Sequence, residues 1–142
     1  MRRLKSQYVD FSRISLYLSA ADNKLSTAKK MLAIDEEASY QMAYEAMLKA
    51  SLGFMLSFGV RPRSLPGHHM TIIEFAEKYL GTEFKSLITM FNRMRRKRHQ
   101  AIYEVTGFVS ATEAERALVT AERYLSAIRH EIRKKNPQLQ LL

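Results

Sequence analysis

Five of the six side chains from Arg93 to Arg98 are cationic, and His99 and Tyr103 follow directly behind them. On a helix His99 and Tyr103, four positions apart, share one surface with Arg96, and Arg95 borders it. These residue types suit a phosphate. A guanidinium binds it bidentately, an imidazole moves protons near neutral pH, and a phenol donates a hydrogen bond. Arg98, His99 and Tyr103 are thus the candidate reacting groups, with Arg93, Arg95 and Arg96 as candidate phosphate contacts. The plainer alternative is a solvated basic helix face. His68 and His69 form a second cluster, just before an expected helix start, where they could hold an anion together with the free N–H groups of the first turn. Their plainer alternative is a loop-to-helix cap. Adjacent histidines with no cysteine and no i, i+4 histidine pair give little basis for a metal site, so neither metal nor cofactor is expected.

Helices must position these groups. Phe11, Ile14, Leu18, Ala21, Leu25, Ala28 and Leu32 recur every three or four residues, which predicts a first helix over about residues 6–33, with a possible break at residues 19–23. Asp35, followed by Glu36 and Glu37, is the expected N-cap of a second helix reaching Phe58, its inner stripe Tyr40, Ala43, Met47, Ala50 and Phe54. Arg61 to Gly67 holds two prolines and a glycine and is read as a loop. A short third helix is expected from about His69 to Leu80, with Ile72, Ile73, Ala76, Tyr79 and Leu80 inward. A fourth begins near Thr82 or Glu83 and runs to about Val105. Ser110 and Glu113 have capping-box spacing and open a fifth, which carries Ala114, Ala117, Ala121, Tyr124, Ile128 and Ile132 and fades before Pro137. The expected fold is all-α: an antiparallel up-and-down four-helix bundle with an additional short helix. One domain is expected over 1–142, its core about 6–135 and the tail 136–142 frayed.

The fourth helix breaks its own pattern. Phe84, Leu87, Ile88, Phe91 and Met94 form an inward stripe that Ala101, Ile102 and Val105 resume. Arg98 falls within roughly 20° of Phe91 around the axis, so it occupies a place where an apolar side chain belongs. Burying an unpartnered guanidinium costs several kcal/mol, roughly, so Arg98 must meet a carboxylate, a carbonyl, a cleft or another subunit.

Arg98-His99-Gln100-Ala101-Ile102-Tyr103, late in the penultimate helix of five, resembles the signature of the HEPN superfamily (higher eukaryotes and prokaryotes nucleotide-binding domain): an Arg, a polar residue, three further residues, then His. Ala43-Tyr44-Glu45-Ala46-Met47-Leu48-Lys49-Ala50, Gly67-His68-His69 and Ile72-Ile73-Glu74-Phe75 extend the likeness across roughly residues 20–132. The resemblance implies a small helical bundle that dimerises and brings both motifs to a shared cleft. Many such proteins are metal-independent endoribonucleases of toxin–antitoxin, defence or RNA-processing systems. In these, Arg and His assist attack of a ribose 2′-hydroxyl on the adjacent phosphate. Others bind RNA, nucleotides or a partner nucleotidyltransferase without catalysis. Here the motif's terminal His is Tyr103, whose phenol, with a pKa near 10, is a poor base at neutral pH. Either His99 takes over, with Arg93 preceding it at an allowed spacing though about 120° away around the axis, or the site binds phosphate without efficient cleavage. The second is favoured.

Composition agrees with that class of partner. The chain has 142 residues, is 46% hydrophobic and carries a formal charge of +9, which attracts polyanions; a solubilising surface is the alternative. It contains no cysteine, so disulfide scaffolds and thiolate chemistry are excluded. The basic N-terminus does not read as a signal peptide and no apolar run suits a bilayer, so the expected location is the cytoplasm and no membrane partner is expected. The expectation is an RNA- or nucleotide-binding homodimer of a toxin–antitoxin or defence system, with weak endoribonuclease activity at most. The alternative is a non-catalytic subunit regulating a partner such as a nucleotidyltransferase or acting with an antitoxin.

Overall fold

The computed structural model describes residues 3–64, 67–104 and 109–137. Five helices and one pair of short strands make up the described chain: β1 (Leu4–Ser6), α1 (Phe11–Met31), α2 (Glu36–Ser57), β2 (Val60–Pro62), α3 (His68–Leu80), α4 (Lys85–Tyr103) and α5 (Ala111–Lys135). The fold is all-α in class, as the periodicities imply.

Helix α2 is the hub. It packs along α1 and against α5, and also touches α3 and α4, while α4 in turn rests on α5 and α3. A helix contacted on so many sides is buried nearly all round. Tyr44, Ala46, Met55 and Leu56 are therefore as buried as the stripe expected from spacing. Small residues permit the close approach. A Cβ added at Gly53 would stand 3.3 Å from the Cβ of Tyr17 on α1. One core cluster draws side chains from all five helices.

Three boundaries differ from expectation. Asp10 accepts hydrogen bonds from the backbone N–H groups of Ser12 and Arg13, which fixes the start of α1 at Phe11. Residues 4–6, of which only Ser6 fell within the expected first helix, pair antiparallel with residues 60–62, of which Arg61 and Pro62 were read as loop. Leu4 and Val60 from the two strands rest on the core, and that burial holds together a ribbon too short to persist alone. Phe11, now in the first turn, is exposed, so the α1 stripe begins at Ile14. No break occurs at residues 19–23, and a 3-10 turn at Thr82–Phe84 precedes α4.

Two stripe positions also turn out exposed. Tyr79 keeps its edge to solvent while stacking on Phe58 and Phe75, and Ile102 is 48% exposed because α4 outruns its packing partners after Met94. The capping box at Ser110 and Glu113 is formed in both directions. The expected helix end at Val105, Leu65-Pro66 of the expected loop and residues 138–142 lie outside the described residues.

Candidate functional site

Arg98 leaves the inner face of α4 and lays its guanidinium against the ring of Tyr44 on α2, 5.8 Å from the ring centroid. That placement follows from the broken stripe. The α4 seam reaches α2 up to Met94, and one turn later only a long side chain can cover the aromatic face. The Arg98 Nε is buried and meets no hydrogen-bond acceptor among the described residues.

Helix α3 delivers the second group. The Nδ1 of His69 lies 2.9 Å from the Tyr44 hydroxyl, and His68 packs edge-on to the His69 ring. Gly67 opens α3 in the left-handed region, at φ 80°, and no side chain caps the helix start. His68 and His69 are the first two residues of α3. Burial, then the neighbouring charges of His68, Arg98 and Arg95, hold the His69 imidazole below its ordinary value. Burial raises the Tyr44 phenol well above its usual range, so it remains a neutral hydroxyl that can donate to or accept from His69.

A cleft of about 370 Å³ lies over these groups, lined by Arg98, His68 and His69 together with Lys24, Lys49 and Glu45. Lys24 is 3.2 Å from Glu45, the one carboxylate in the lining. Four further side chains close its apolar side, among them Ile72 and Pro62. The cleft is thus cationic, half-apolar and joined to a neutral imidazole, a combination suited to a phosphate ester with an organic group attached.

The remaining candidates go elsewhere. His99 and Tyr103 stack at 4.6 Å, as their spacing implied, but both are exposed and neither lines the cleft. Arg93 faces the groove between α4 and α5, beside Arg116 and Arg123. Arg95 donates from Nε to Asn92 and acts on the cleft only through its charge, and Arg96 is exposed. Lys97 reaches Glu113 at the start of α5. Tyr44, Lys24 and Lys49 were not expected as site residues from sequence, although Tyr44 and Lys49 lie in the segment that carries the family resemblance. The one available signal was Tyr44 itself, a phenol amid small residues on a helix too apolar to be exposed, which must find a hydrogen-bond partner. Among the described residues no cluster of histidine and carboxylate side chains could hold a metal ion.

The sequence profile of the HEPN domain matches residues 14–131, the span that holds every helix except the ends of α1 and α5. The chain belongs to the HEPN family. The crystal structure of TT1696 from Thermus thermophilus has a similar fold, with a TM-score of 0.65 and 17% sequence identity over 83% of this chain and 97% of that one. No curated protein matches the chain. The HEPN assignment supports a nucleotide- or RNA-related protein at family level. No described helix is long and apolar enough to cross a membrane.

Proposed function

We propose that this HEPN protein binds RNA or a nucleotide by its phosphate, with Arg98 as the clamp and His68 and His69 as neighbouring contacts. The observation that carries this reading is the buried Arg98 Nε, which has no acceptor among the described residues. Leaving such a donor unpaired costs about 1–3 kcal/mol, which an anion accepting its hydrogen bond would offset. Lys49 also lines the cleft, as does Lys24, which is paired with Glu45.

Efficient cleavage is not part of the proposal. The motif groups expected to move protons, His99 and Tyr103, lie outside the cleft lining, which leaves His68 and His69 as the imidazoles nearest the phosphate. The test is titration of labelled RNA and of UMP at low salt, with a parallel incubation of RNA in chelator. Wild type is expected to bind both and to leave the RNA essentially intact. Arg98→Met keeps the stem over Tyr44, removes the charge and is expected to lose tenfold or more in affinity, about 1.4 kcal/mol. Wild type that binds neither probe would refute the proposal.

A second reading is supported by the exposed end of α4. Ile102 and Tyr103 are 48% and 74% exposed, one turn beyond Arg98. An apolar rim there suits a second copy of the chain, or a partner such as a nucleotidyltransferase in a toxin–antitoxin or defence pair. Growth arrest on expressing this chain alone would favour a toxin, and the absence of arrest a restraining subunit.

A further inference from the structure

The ribbon of β1 and β2 carries like charges face to face. Lys5 stands directly opposite Arg61, and the backbone N–H of Arg63 donates to the carbonyl of Arg3, which places those two residues opposite as well. Alternation along a strand puts positions 3, 5, 61 and 63 on one face and positions 4 and 60 on the other, where Leu4 and Val60 meet the core. All four basic residues are exposed. Neither residues 3–9 nor residues 59–64 include an acidic side chain, and Lys5 and Arg61 form no ion pair among the described residues. Directly opposed like charges destabilise a strand pair. The fold nonetheless keeps them, on the smallest element of the molecule.

The ribbon also touches the cleft. Pro62 of β2 lines the cleft beside His68 and His69, and it lines a second hollow with Lys5, Arg61 and Arg63. Arg61 in turn borders the next hollow, which includes Arg13 of α1. Arg98 and Lys49 in the cleft, Lys5 and Arg61 in the second hollow and Arg13 in the third thus line adjoining hollows, joined through Pro62 and Arg61. A mononucleotide in the cleft would leave the ribbon bare. A chain of phosphodiesters would cover it and relieve the opposition of Lys5 and Arg61.

We propose that the ligand is a single-stranded RNA of several nucleotides, one phosphate seated at Arg98 and the backbone leaving the cleft across the β1–β2 ribbon. This inference rests on the cleft reading above and adds the direction and the length of the ligand. The ribbon makes backbone contacts only, so it contributes affinity and salt dependence without base preference.

The test compares fluorescein-labelled oligouridylate of twelve nucleotides with UMP, on wild type, the pair Lys5→Glu/Arg61→Glu and the milder pair Lys5→Ala/Arg61→Ala. Helical circular dichroism serves as the folding check. Wild type is expected to bind the twelve-mer at least tenfold more tightly than UMP. The alanine pair should lower the slope of log affinity against log salt by about 1.4, the value for two single-strand phosphate contacts. Both pairs should weaken the twelve-mer, the reversal by tenfold or more, and leave UMP unchanged. If UMP binds in an Arg98-dependent way but the ribbon variants hold the twelve-mer as tightly and with the same salt slope as wild type, the ribbon inference is overturned and the cleft stands. If wild type binds neither, both fall.

Discussion

At His69 partial burial and the charges of His68, Arg98 and Arg95 all act in one direction, disfavouring the imidazolium. An unfolded histidine titrates near 6.5. The unfolded chain therefore binds more protons than the folded one as pH falls through and below that value. Stability rises with pH across this window and is lost as pH drops through it. A bound phosphate reverses the local balance, because it favours imidazolium, so binding takes up a proton and affinity should rise as pH falls from about 7 to 5.5. His69→Asn presents an amide where Nδ1 stood, keeping a partner for the Tyr44 hydroxyl while removing the titration. Chemical denaturation and RNA titration at several pH values should show both slopes smaller in His69→Asn than in wild type. Equal slopes in the two proteins would assign the titration to another group. Spacing alone put His69 next to a helix start, but nothing local to residues 68–69 indicated that Tyr44, 25 positions earlier, would hold its ring.

The helices owe their limits to single side chains, and these can be weighed one at a time. Ser110→Ala removes the acceptor for the Glu113 N–H and should cost about 1 kcal/mol in denaturant unfolding without altering the core. Gly53→Val should cost more, about 1–3 kcal/mol, because its Cβ would already crowd Tyr17 and its methyls have no room between α1 and α2. If Gly53→Val is neutral, the two helices are not packed as closely as the 3.3 Å contact requires. The caps at Ser110 and Asp35 were legible because a cap is a local arrangement of a side chain and the three N–H groups beyond it. The cap at Asp10 is equally local, but the apolar residue Phe11 after it extended the helical spacing and concealed the boundary. The strand pair was hidden for a different reason. Three residues show too little alternation to read, and their partners lie more than fifty positions away.

Across the whole molecule, α5 is tied to α1 by the bidentate pair of Arg129 with Asp22, so the basic end of α5 has a partner besides its own helix dipole. Ile102 and Tyr103 at the end of α4 are exposed among the described residues. On the reading that a second copy covers them, sedimentation equilibrium should show a dimer whose dissociation constant rises tenfold or more in Ile102→Asp, with unfolding of the monomer unchanged. A monomeric wild type at tens of micromolar would remove that reading and leave the cleft within one chain.

The sequence determined the helices, the inward seam and the misplaced Arg98, because turn periodicity and chain-breaking residues act over a few neighbours. It also carried the family, through the Arg98–Tyr103 motif together with segments spread over roughly residues 20–132. Which residues face Arg98 was decided only in three dimensions. The docking of α3 on α2 and α4 sets His69 against Tyr44, and the same packing sends His99 and Tyr103, its nearest chemical neighbours along the chain, out toward solvent. Sequence adjacency orders groups along one axis, whereas a site needs groups from several helices to converge. That convergence is fixed by which apolar faces bury one another.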